Sequence, residues 1–283
     1  MPPSAAQFAP ATLRCGRFKL SLARPLVMGV VNITPDSFSD GGRFFDPAAA
    51  IAHAHQLMEE GADLIDLGAE SSRPGAAEVS AEEELRRLLP VLQGLRDVPL
   101  SIDTVKPEVM RVALAEGAAM INDINALRAP GALAAVAAGD AAVCLMHMQG
   151  TPGTMQQHPS YGDVVAEVKT FLQERVESAG AAGIAPGRVV IDPGFGFGKT
   201  LEHNLELLRR LREFTALGVP VLAGWSRKSS LGTITGKPAG ERLAASIAAA
   251  LIAAQNGAAI LRVHDVAATR DALAVLAAVE NRE

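Results

Sequence analysis

The chain has 283 residues, of which 49% are hydrophobic, 20% charged and 4% aromatic, and its formal net charge is −5. This composition predicts a globular α/β protein of one large domain or two ordinary ones and excludes a disordered or fibrous chain. Because no run of basic residues is longer than two, the sequence also argues against a nucleic-acid-binding surface.

The N-terminus and the cysteines carry no sign of export or membrane insertion. The opening sequence MPPSAAQFAPATLRCG lacks the basic start and the apolar stretch of a signal peptide. The most apolar helical segment, LAASIAAALIAAQNGA, is too short to cross a bilayer. Cys15 and Cys144 have neither metal-binding nor redox spacing. We therefore expect a cytoplasmic protein with reduced thiols and no membrane partner.

Residues 1–24 precede the first apolar run, and the segment LRCGRFKLSL within them could form a small hairpin that closes the bottom of a barrel. Eight short runs rich in apolar and β-branched residues then follow, at 25–33, 63–70, 100–104, 120–125, 142–148, 189–194, 220–226 and 259–265. They are continuous rather than alternating, which is typical of strands that are buried on both faces.

Segments with helical character separate these runs. Asp46 and Pro47 suit the N-cap and first position of one helix, and Ser80 with Glu83 forms a capping-box pattern at the next. Repeated strand–helix alternation predicts an α/β fold, a (β/α)8 TIM barrel in one domain over 25–283. A doubly wound open sheet is the alternative, but its first turn is usually glycine-rich, whereas NITPDSFSDGG is long and polar.

Polar side chains stand at or near the end of every predicted strand. They are Asn32, Glu70, Asp103, Asn122, Asp123, His147, Asp192, Ser226, Arg227, Lys228, Arg262 and His264. The carboxyl ends of barrel strands meet at one rim, where the active sites of this fold lie. Helix capping does not explain so many polar groups at one rim, since burying an unpaired charge is costly. We predict a polar binding site there.

The residue types at this rim predict a ligand with two different ends. Asp103, Asp192 and Asn122 supply mainly hydrogen-bond acceptors, which suit a planar row of N–H donors such as an aminopyrimidinone ring. The cationic and imidazole side chains at the last two strands suit a phosphate-bearing group. The residues therefore favour a donor-rich heterocycle with a phosphate tail.

The glycine-rich loop DPGFGFGKTLEHN at 192–204 fits neither familiar phosphate motif. A P-loop needs glycine where Pro193 stands, and a dinucleotide fingerprint needs its third glycine where Lys199 stands. The spacing excludes a P-loop kinase. We interpret the glycines as allowing a tight backbone turn beside the ligand of Asp192, with Lys199 not used for phosphate binding.

A set of motifs between residues 28 and 265 carries a family resemblance: MGVVNITPDSFSDGG, GADLIDLGAESSRPGA, SIDT, INDI, MHMQGTP, DPGFGFGK, SRKS and RVHD. In these motifs the chain resembles the dihydropteroate synthases, pterin-binding (β/α)8 transferases of folate synthesis. The resemblance implies condensation of 6-hydroxymethyl-7,8-dihydropterin diphosphate with p-aminobenzoate to 7,8-dihydropteroate and pyrophosphate. It also implies Mg²⁺ as cofactor, a sulfonamide target and a homodimer.

The same resemblance assigns roles to individual residues. It implies pterin binding by Asp103, Asn122, Asp192, Lys228, Met146 and Phe197. It implies diphosphate binding by Asn32, Ser72, Arg262 and His264, with Asn32 also binding the metal. It implies p-aminobenzoate binding by Phe38, Ser72, Arg73, Pro74, Phe197, Lys228 and Ser229. The catalytic set would be Asp103, Lys228, Arg262, His264 and Arg73.

Some residues and functions stay open. The family commonly has Thr where this chain has Ser72, and often has a smaller side chain or a thioether where Trp225 stands. His147 could pack or bind, and Glu70 could support a loop or contact substrate. The alanine-rich helix at 239–257 is either a subunit interface or core. The rival functions are a catalytically silent pterin-binding module and a pterin-dependent methyltransferase, which needs no diphosphate-binding residues.

Overall fold

The computed structural model describes residues 11–34, 46–71 and 79–280. Its first element is an antiparallel hairpin of β1 (Thr12–Cys15) and β2 (Phe18–Ser21). Leu13 and Cys15 are buried, and they pack with residues that begin the barrel strands: Leu26, Leu64, Ala142 and Ile260. The hairpin therefore covers the amino-terminal end of the barrel.

Eight parallel strands form the barrel and confirm the predicted fold. They are β3 (Leu26–Asn32), β4 (Leu64–Gly68), β5 (Leu100–Asp103), β6 (Met120–Asp123), β7 (Ala142–Met146), β8 (Val189–Asp192), β9 (Leu222–Ala223) and β10 (Ile260–Val263). Their order is β8-β7-β6-β5-β4-β3-β10-β9. A parallel bridge between Ile191 and Val221 joins the two outer strands and brings the ring close to closure.

Helices surround this ring. They are α1 (Pro47–Glu59), α2 (Ala81–Gly94), α3 (Pro107–Ala115), α4 (Ala132–Ala137), α5 (Val164–Ala181), α6 (Leu201–Arg209), α7 (Ser229–Thr235), α8 (Leu243–Gln255) and α9 (Val266–Glu280). The side chains of Asp46 and Ser80 cap α1 and α2 as their sequences predict. Within the described ranges, no helix combines the length and apolarity needed to cross a bilayer.

The strand register sets the level of the polar rim. Asn32 pairs with Gly68, Gly68 with Asp103, and Asp103 with Asn122. On the opposite side of the ring, Met146 pairs with Asp192. Because parallel neighbours in register place their side chains at one height, the ends of these strands form a continuous lining for the barrel mouth.

Gly194, in the loop after β8, offers a test of how tightly this mouth is packed. A Cβ atom there would overlap the carbonyl oxygen of His147, and the backbone has a φ of +73°. Gly236 has a similar φ of +70° but no neighbouring atom within 4 Å. We expect Gly236→Ala to cost about 1 kcal/mol of unfolding free energy through backbone strain alone, and Gly194→Ala about 3 kcal/mol or more.

Urea unfolding of both variants and the parent measures this difference. Equal losses at the two positions would contradict the close contact between the β8 loop and the end of β7.

Candidate active site

The acceptors predicted from the sequence lie at the carboxyl end of the barrel. Asp103 ends β5, its register partner Asn122 lies in β6, and Asp192 ends β8. Asn122 is only 5% exposed and Asp192 only 6%. Each therefore has to find its hydrogen-bond partners inside the barrel mouth or on a bound molecule.

Arg262, on β10, crosses the mouth and pairs with two carboxylates. Its Nε donates to Oδ2 of Asp66 at 2.6 Å, and its Nη2 donates to Oδ2 of Asp103 at 3.2 Å. Asn122 also donates to Oδ2 of Asp66, at 3.2 Å. One guanidinium and one amide thus connect β4, β5, β6 and β10 in a single polar network.

Asp66 is the member of this network that the sequence analysis missed. It lies in the middle of β4, within the apolar run LIDLG, and is fully buried. The prediction was based on polar residues at the ends of strands, and for this strand it named Glu70. The available signal was a lone carboxylate inside a buried strand, because such a group needs a charged or hydrogen-bonding partner.

Burial tunes several groups of the site toward neutral pH. Desolvation, then the charge of Asp66, raises the pKa of Asp103 to about 7, against the opposing effect of Arg262. Burial also raises the pKa of Asp192, while Lys228 opposes that shift. Desolvation lowers the pKa of the Lys228 ammonium group to about 8. Groups with such shifts in a cleft are typical of functional sites.

The side chain of Lys228 lies against the loop after β8, which carries Phe197. The ammonium nitrogen of Lys228 lies 4.6 Å from the centre of the Phe197 ring and donates to the carbonyl oxygen of Phe195. Because Gly196 has no side chain, the aliphatic part of the Lys228 side chain can lie against its backbone. Phe197 also packs on an apolar cluster that includes Met146. The pterin-binding set predicted for this wall is therefore spatially continuous.

Trp225 lies behind this wall. Its ring is buried and stacks on Phe195 with centroids 5.0 Å apart, and its Nε1 donates to the hydroxyl of Ser230 at 2.5 Å. The large side chain thus fills the space between the β8 loop and α7. Trp225 is therefore a core residue that packs behind the site.

His264 is a neutral imidazole at physiological pH. Burial, Arg262 and Arg227 lower its pKa to about 4. Its Nδ1 lies 3.0 Å from the hydroxyl of Ser226; when this hydroxyl donates to Nδ1, the neutral ring carries its proton on Nε2. His264 can therefore donate one hydrogen bond to an anion without adding a charge.

The charge of Arg227 is paired within the protein, whereas its place in the sequence predicts a cation available to the ligand. It has a left-handed backbone with a φ of 58°, and its guanidinium makes two hydrogen bonds to the carboxylate of Asp265, at 3.1 and 2.5 Å. Its backbone N–H donates to the hydroxyl of Ser246. This pairing fixes the turn that presents Lys228.

Glu70 anchors Val79, which stands just before the N-cap of α2, and pairs with a half-buried lysine. Its carboxylate accepts the backbone N–H of Val79 at 2.8 Å and pairs with Lys106. Lys106 also donates to the buried carboxylate of Glu84 at 2.8 Å. Asp123 is likewise structural, since it accepts the backbone N–H groups of Asn125 and Leu127.

Asn32 borders the same space as Asp103. A Cβ atom built on Gly68, which lies between them in the register, would be 3.8 Å from Oδ1 of Asn32 and 3.9 Å from Oδ2 of Asp103. Ser229 begins α7 directly after Lys228. The remaining predicted site residues lie outside the described ranges: Phe38, Ser72, Arg73 and Pro74.

Sequence comparisons identify close relatives over nearly the whole chain. Dihydropteroate synthase of Escherichia coli K12 is 50% identical over 270 residues, which cover 93% of this chain and 96% of that protein. The dihydropteroate synthase of Neisseria meningitidis serogroup B is 52% identical over 271 residues, covering 93% and 95% of the two chains.

Solved structures give the same result. Xanthomonas albilineans dihydropteroate synthase with 4-aminobenzoic acid superposes with a TM-score of 0.91 at 56% identity, covering 96% of this chain and 99% of that one. Burkholderia cenocepacia dihydropteroate synthase complexed with 7,8-dihydropteroate gives a TM-score of 0.87 at 51% identity, covering 96% and 98%. The family model for pterin binding enzymes matches residues 28–264. The chain belongs to the pterin-binding family of dihydropteroate synthases.

Proposed function

We propose that this protein condenses 6-hydroxymethyl-7,8-dihydropterin diphosphate with p-aminobenzoate, giving 7,8-dihydropteroate and pyrophosphate for folate synthesis. The observation that carries the proposal is the set of buried acceptors at the barrel mouth, held beside Lys228 and Arg262. Relatives of about 50% identity with this name, and structures of relatives with 4-aminobenzoic acid or 7,8-dihydropteroate, support it. Residues 25–283 would be the catalytic unit.

The pterin ring would lie among Asp103, Asn122, Asp192 and Lys228. A pterin presents a row of ring and exocyclic N–H groups, which the two carboxylates can accept, and an oxygen and ring nitrogens that Lys228 can donate to. Met146 and Phe197 would line the apolar faces of the ring. A heterocycle lacking these donors would leave buried carboxylates unpaired, so the site would reject it strongly.

The diphosphate would bind to Arg262, His264, Asn32 and Ser72. The contacts of Arg262 with Asp66 and Asp103 occupy its Nε and Nη2, and its Nη1 makes no hydrogen bond within the described part of the chain. That edge of the guanidinium can turn toward a phosphate oxygen. The neutral His264 adds a donor beside it.

We propose Mg²⁺ as the cofactor, held by the side-chain oxygen of Asn32. An amide oxygen is a hard ligand of the kind that Mg²⁺ accepts, and the ion keeps most of its shell as water and phosphate oxygens, so one protein ligand suffices. Asn32 ends β3 at the barrel mouth, and its Oδ1 borders the same space over Gly68 as Oδ2 of Asp103. When bound, the ion would supply positive charge against the diphosphate.

For p-aminobenzoate, we propose a site between two groups of residues. Phe197, Lys228 and Ser229 are in the described part of the chain, and Ser229 follows Lys228 at the start of α7. Phe38, Ser72, Arg73 and Pro74 complete the set on the resemblance. Lys228 would then stand between the pterin and the benzoate, next to the carbon at which they are joined.

The reaction is a substitution at the exocyclic methylene carbon of the pterin. The C–O bond to the diphosphate breaks, the arylamine nitrogen supplies the electron pair of the new C–N bond, and that nitrogen then loses one proton. An arylamine is already neutral at pH 7, so its attack needs no general base. Arg262 and His264 would stabilise the charge that develops on the leaving pyrophosphate. Arg73 would contact the p-aminobenzoate.

We further propose a cytoplasmic homodimer. Large apolar side chains are exposed on the neighbouring helices α7, α8 and α9: Ile234, Leu243, Ile252, Val275 and Val279. Exposed apolar side chains on adjacent helices are of the kind that a second copy can cover. Both cysteines are buried and unpaired, in keeping with a reducing compartment.

A coupled assay for pyrophosphate release tests the proposed reaction. The wild-type protein should release pyrophosphate from the pterin diphosphate only when p-aminobenzoate is present. Asp192→Asn and Asp103→Asn should each lower kcat/KM by about 1000-fold or more, because an amide cannot accept hydrogen bonds on both heads. Pyrophosphate release at the same rate without p-aminobenzoate, or near-normal kinetics in either variant, would contradict the proposal.

Asp66 should act on the reaction through Arg262, which it orients. Asp66→Asn leaves the buried guanidinium with one carboxylate instead of two, and we expect a loss of about 3 kcal/mol of unfolding free energy together with a raised KM for the pterin diphosphate. Urea unfolding and steady-state kinetics measure both effects. Ser101→Ala, at the register partner of Asp66, is the matched control and should leave both nearly unchanged.

The raised pKa of Asp103 predicts that ionisation of this carboxyl group lowers the stability of the folded protein. Its pKa of about 7 in the folded protein exceeds its ordinary value of 3.8, so the folded state gains protons relative to the unfolded state between these values. Stability therefore falls as the pH rises from about 4 to 7. Relative to the wild type, Asp103→Asn should therefore be more stable at pH 8 than at pH 4 by about 1–3 kcal/mol, in addition to the cost of losing its contact with Arg262.

Urea unfolding of both proteins at the two pH values measures this difference. An equal free-energy change at pH 4 and pH 8 would contradict the assignment of a destabilised carboxylate to Asp103.

A further inference from the structure

Lys199 is a buried cation that the proposed reaction does not use. It ends the glycine-rich loop after β8 and is only 3% exposed. Its ammonium nitrogen lies 2.9 Å from the carbonyl oxygen of Phe197, 3.0 Å from Nδ1 of His147 and 3.4 Å from the carbonyl oxygen of His147. All three protons of the ammonium group therefore have acceptors within the protein, and none is left for a phosphate.

His147 is suited to receive this contact. While Lys199 is charged it can only donate, so Nδ1 accepts and the ring proton lies on Nε2. Burial, followed by the charge of Lys199, lowers the pKa of His147 to about 2, which keeps the ring neutral. The ring packs edge-on against Phe171 with centroids 4.9 Å apart. His147 thus both packs and holds Lys199.

These contacts join two loops that line the pterin site. The loop after β7 begins at His147, next to Met146, and the loop after β8 carries Phe197. The loops also touch elsewhere, since a Cβ atom on Gly198 would overlap Gln149. Lys199 is the charged centre of this interface, and its removal would free one wall of the site to shift against the other.

Lys199 also bears on the charge of Asp192. Three cations act on the charge of Asp192: Lys228 before α7, Arg262 on β10 and Lys199 in its own loop. The charge of Asp192 in turn acts on the thiol of Cys144 in β7. Burial raises the pKa of Asp192, and Lys199 is one of the groups that oppose this shift. Burial lowers the pKa of Lys199 to about 7, so its charge is present at the acidic pH values where Asp192 would otherwise take up a proton.

We propose that Lys199 is a positioning residue for pterin binding, which ties the β7 loop to the β8 loop and places a positive charge beside Asp192. The inference rests on the proposed function, because it takes Asp192 as an acceptor for the pterin. It gives the lysine of the glycine-rich loop a role that needs no contact with substrate.

The test uses two neutral replacements. Lys199→Met removes both the charge and the hydrogen bonds at similar length, whereas Lys199→Gln removes the charge and keeps an amide donor. Lys19→Met, on the exposed strand β2 at the other end of the barrel, is the matched control. Calorimetry with 7,8-dihydropterin at pH 6 and pH 8.5, together with KM values for both substrates, gives the readout.

We expect Lys199→Met to weaken 7,8-dihydropterin binding about tenfold at pH 6, because the loss of its positive charge favours protonation of Asp192, and less at pH 8.5. The KM for p-aminobenzoate should change less than twofold. Lys199→Gln should show the same pH dependence with a smaller loss at pH 8.5, and Lys19→Met should behave as the wild type.

Unchanged pterin affinity at pH 6 in a folded Lys199→Met protein would overturn the inference, as would equal losses for both substrates or losses independent of pH. If neither neutral variant folds while Lys19→Met does, Lys199 serves the fold rather than the site, and the inference also fails. A wild-type protein that binds no 7,8-dihydropterin would instead contradict the proposed function.

Discussion

The placement of Arg262 between Asp66 and Asp103 is the interaction on which the rest of the site depends. A barrel of this size is normally filled by branched apolar side chains, and an isolated charge inside it would be strongly disfavoured. Here one guanidinium balances two carboxylates, with contacts of 2.6 and 3.2 Å. That balance allows Asn122 and Asp192 to stand nearby as buried acceptors. Desolvation and the charge of Asp66 still raise the pKa of Asp103 to about 7, against the effect of Arg262.

The surrounding loops make this polar mouth rigid by different means. Glycines in the β8 loop let its backbone lie directly on the end of β7, where a side chain at Gly194 would overlap a carbonyl group. On the neighbouring side, Arg227 adopts a left-handed conformation and pairs with Asp265, and Trp225 fills the space beneath. The turn that carries Lys228 is thus fixed by contacts of both its backbone and its side chains.

The sequence predicted the fold well because the barrel strands are buried on both faces and read as continuous apolar runs. The two-residue strand β9 was still found, since its flanking residues kept the pattern. The rim residues were also predictable, because strand ends in this fold face one mouth. Asp66 was missed because it lies in mid-strand, and the sequence does not reveal that Arg262 reaches across the ring to it. The partners of Lys199 were hidden for the same reason, as they depend on contact between two loops.

The central claim is that the acceptors bind the heterocycle while the cationic side binds the diphosphate. Calorimetry of Asp192→Asn and Arg262→Ala with 7,8-dihydropterin and with its 6-hydroxymethyl diphosphate ester tests it most directly. We predict that Asp192→Asn loses affinity for both ligands by similar factors, whereas Arg262→Ala loses at least about tenfold more for the diphosphate ester than for the free pterin. Equal losses for both ligands in Arg262→Ala, or unchanged pterin affinity in Asp192→Asn, would contradict the account.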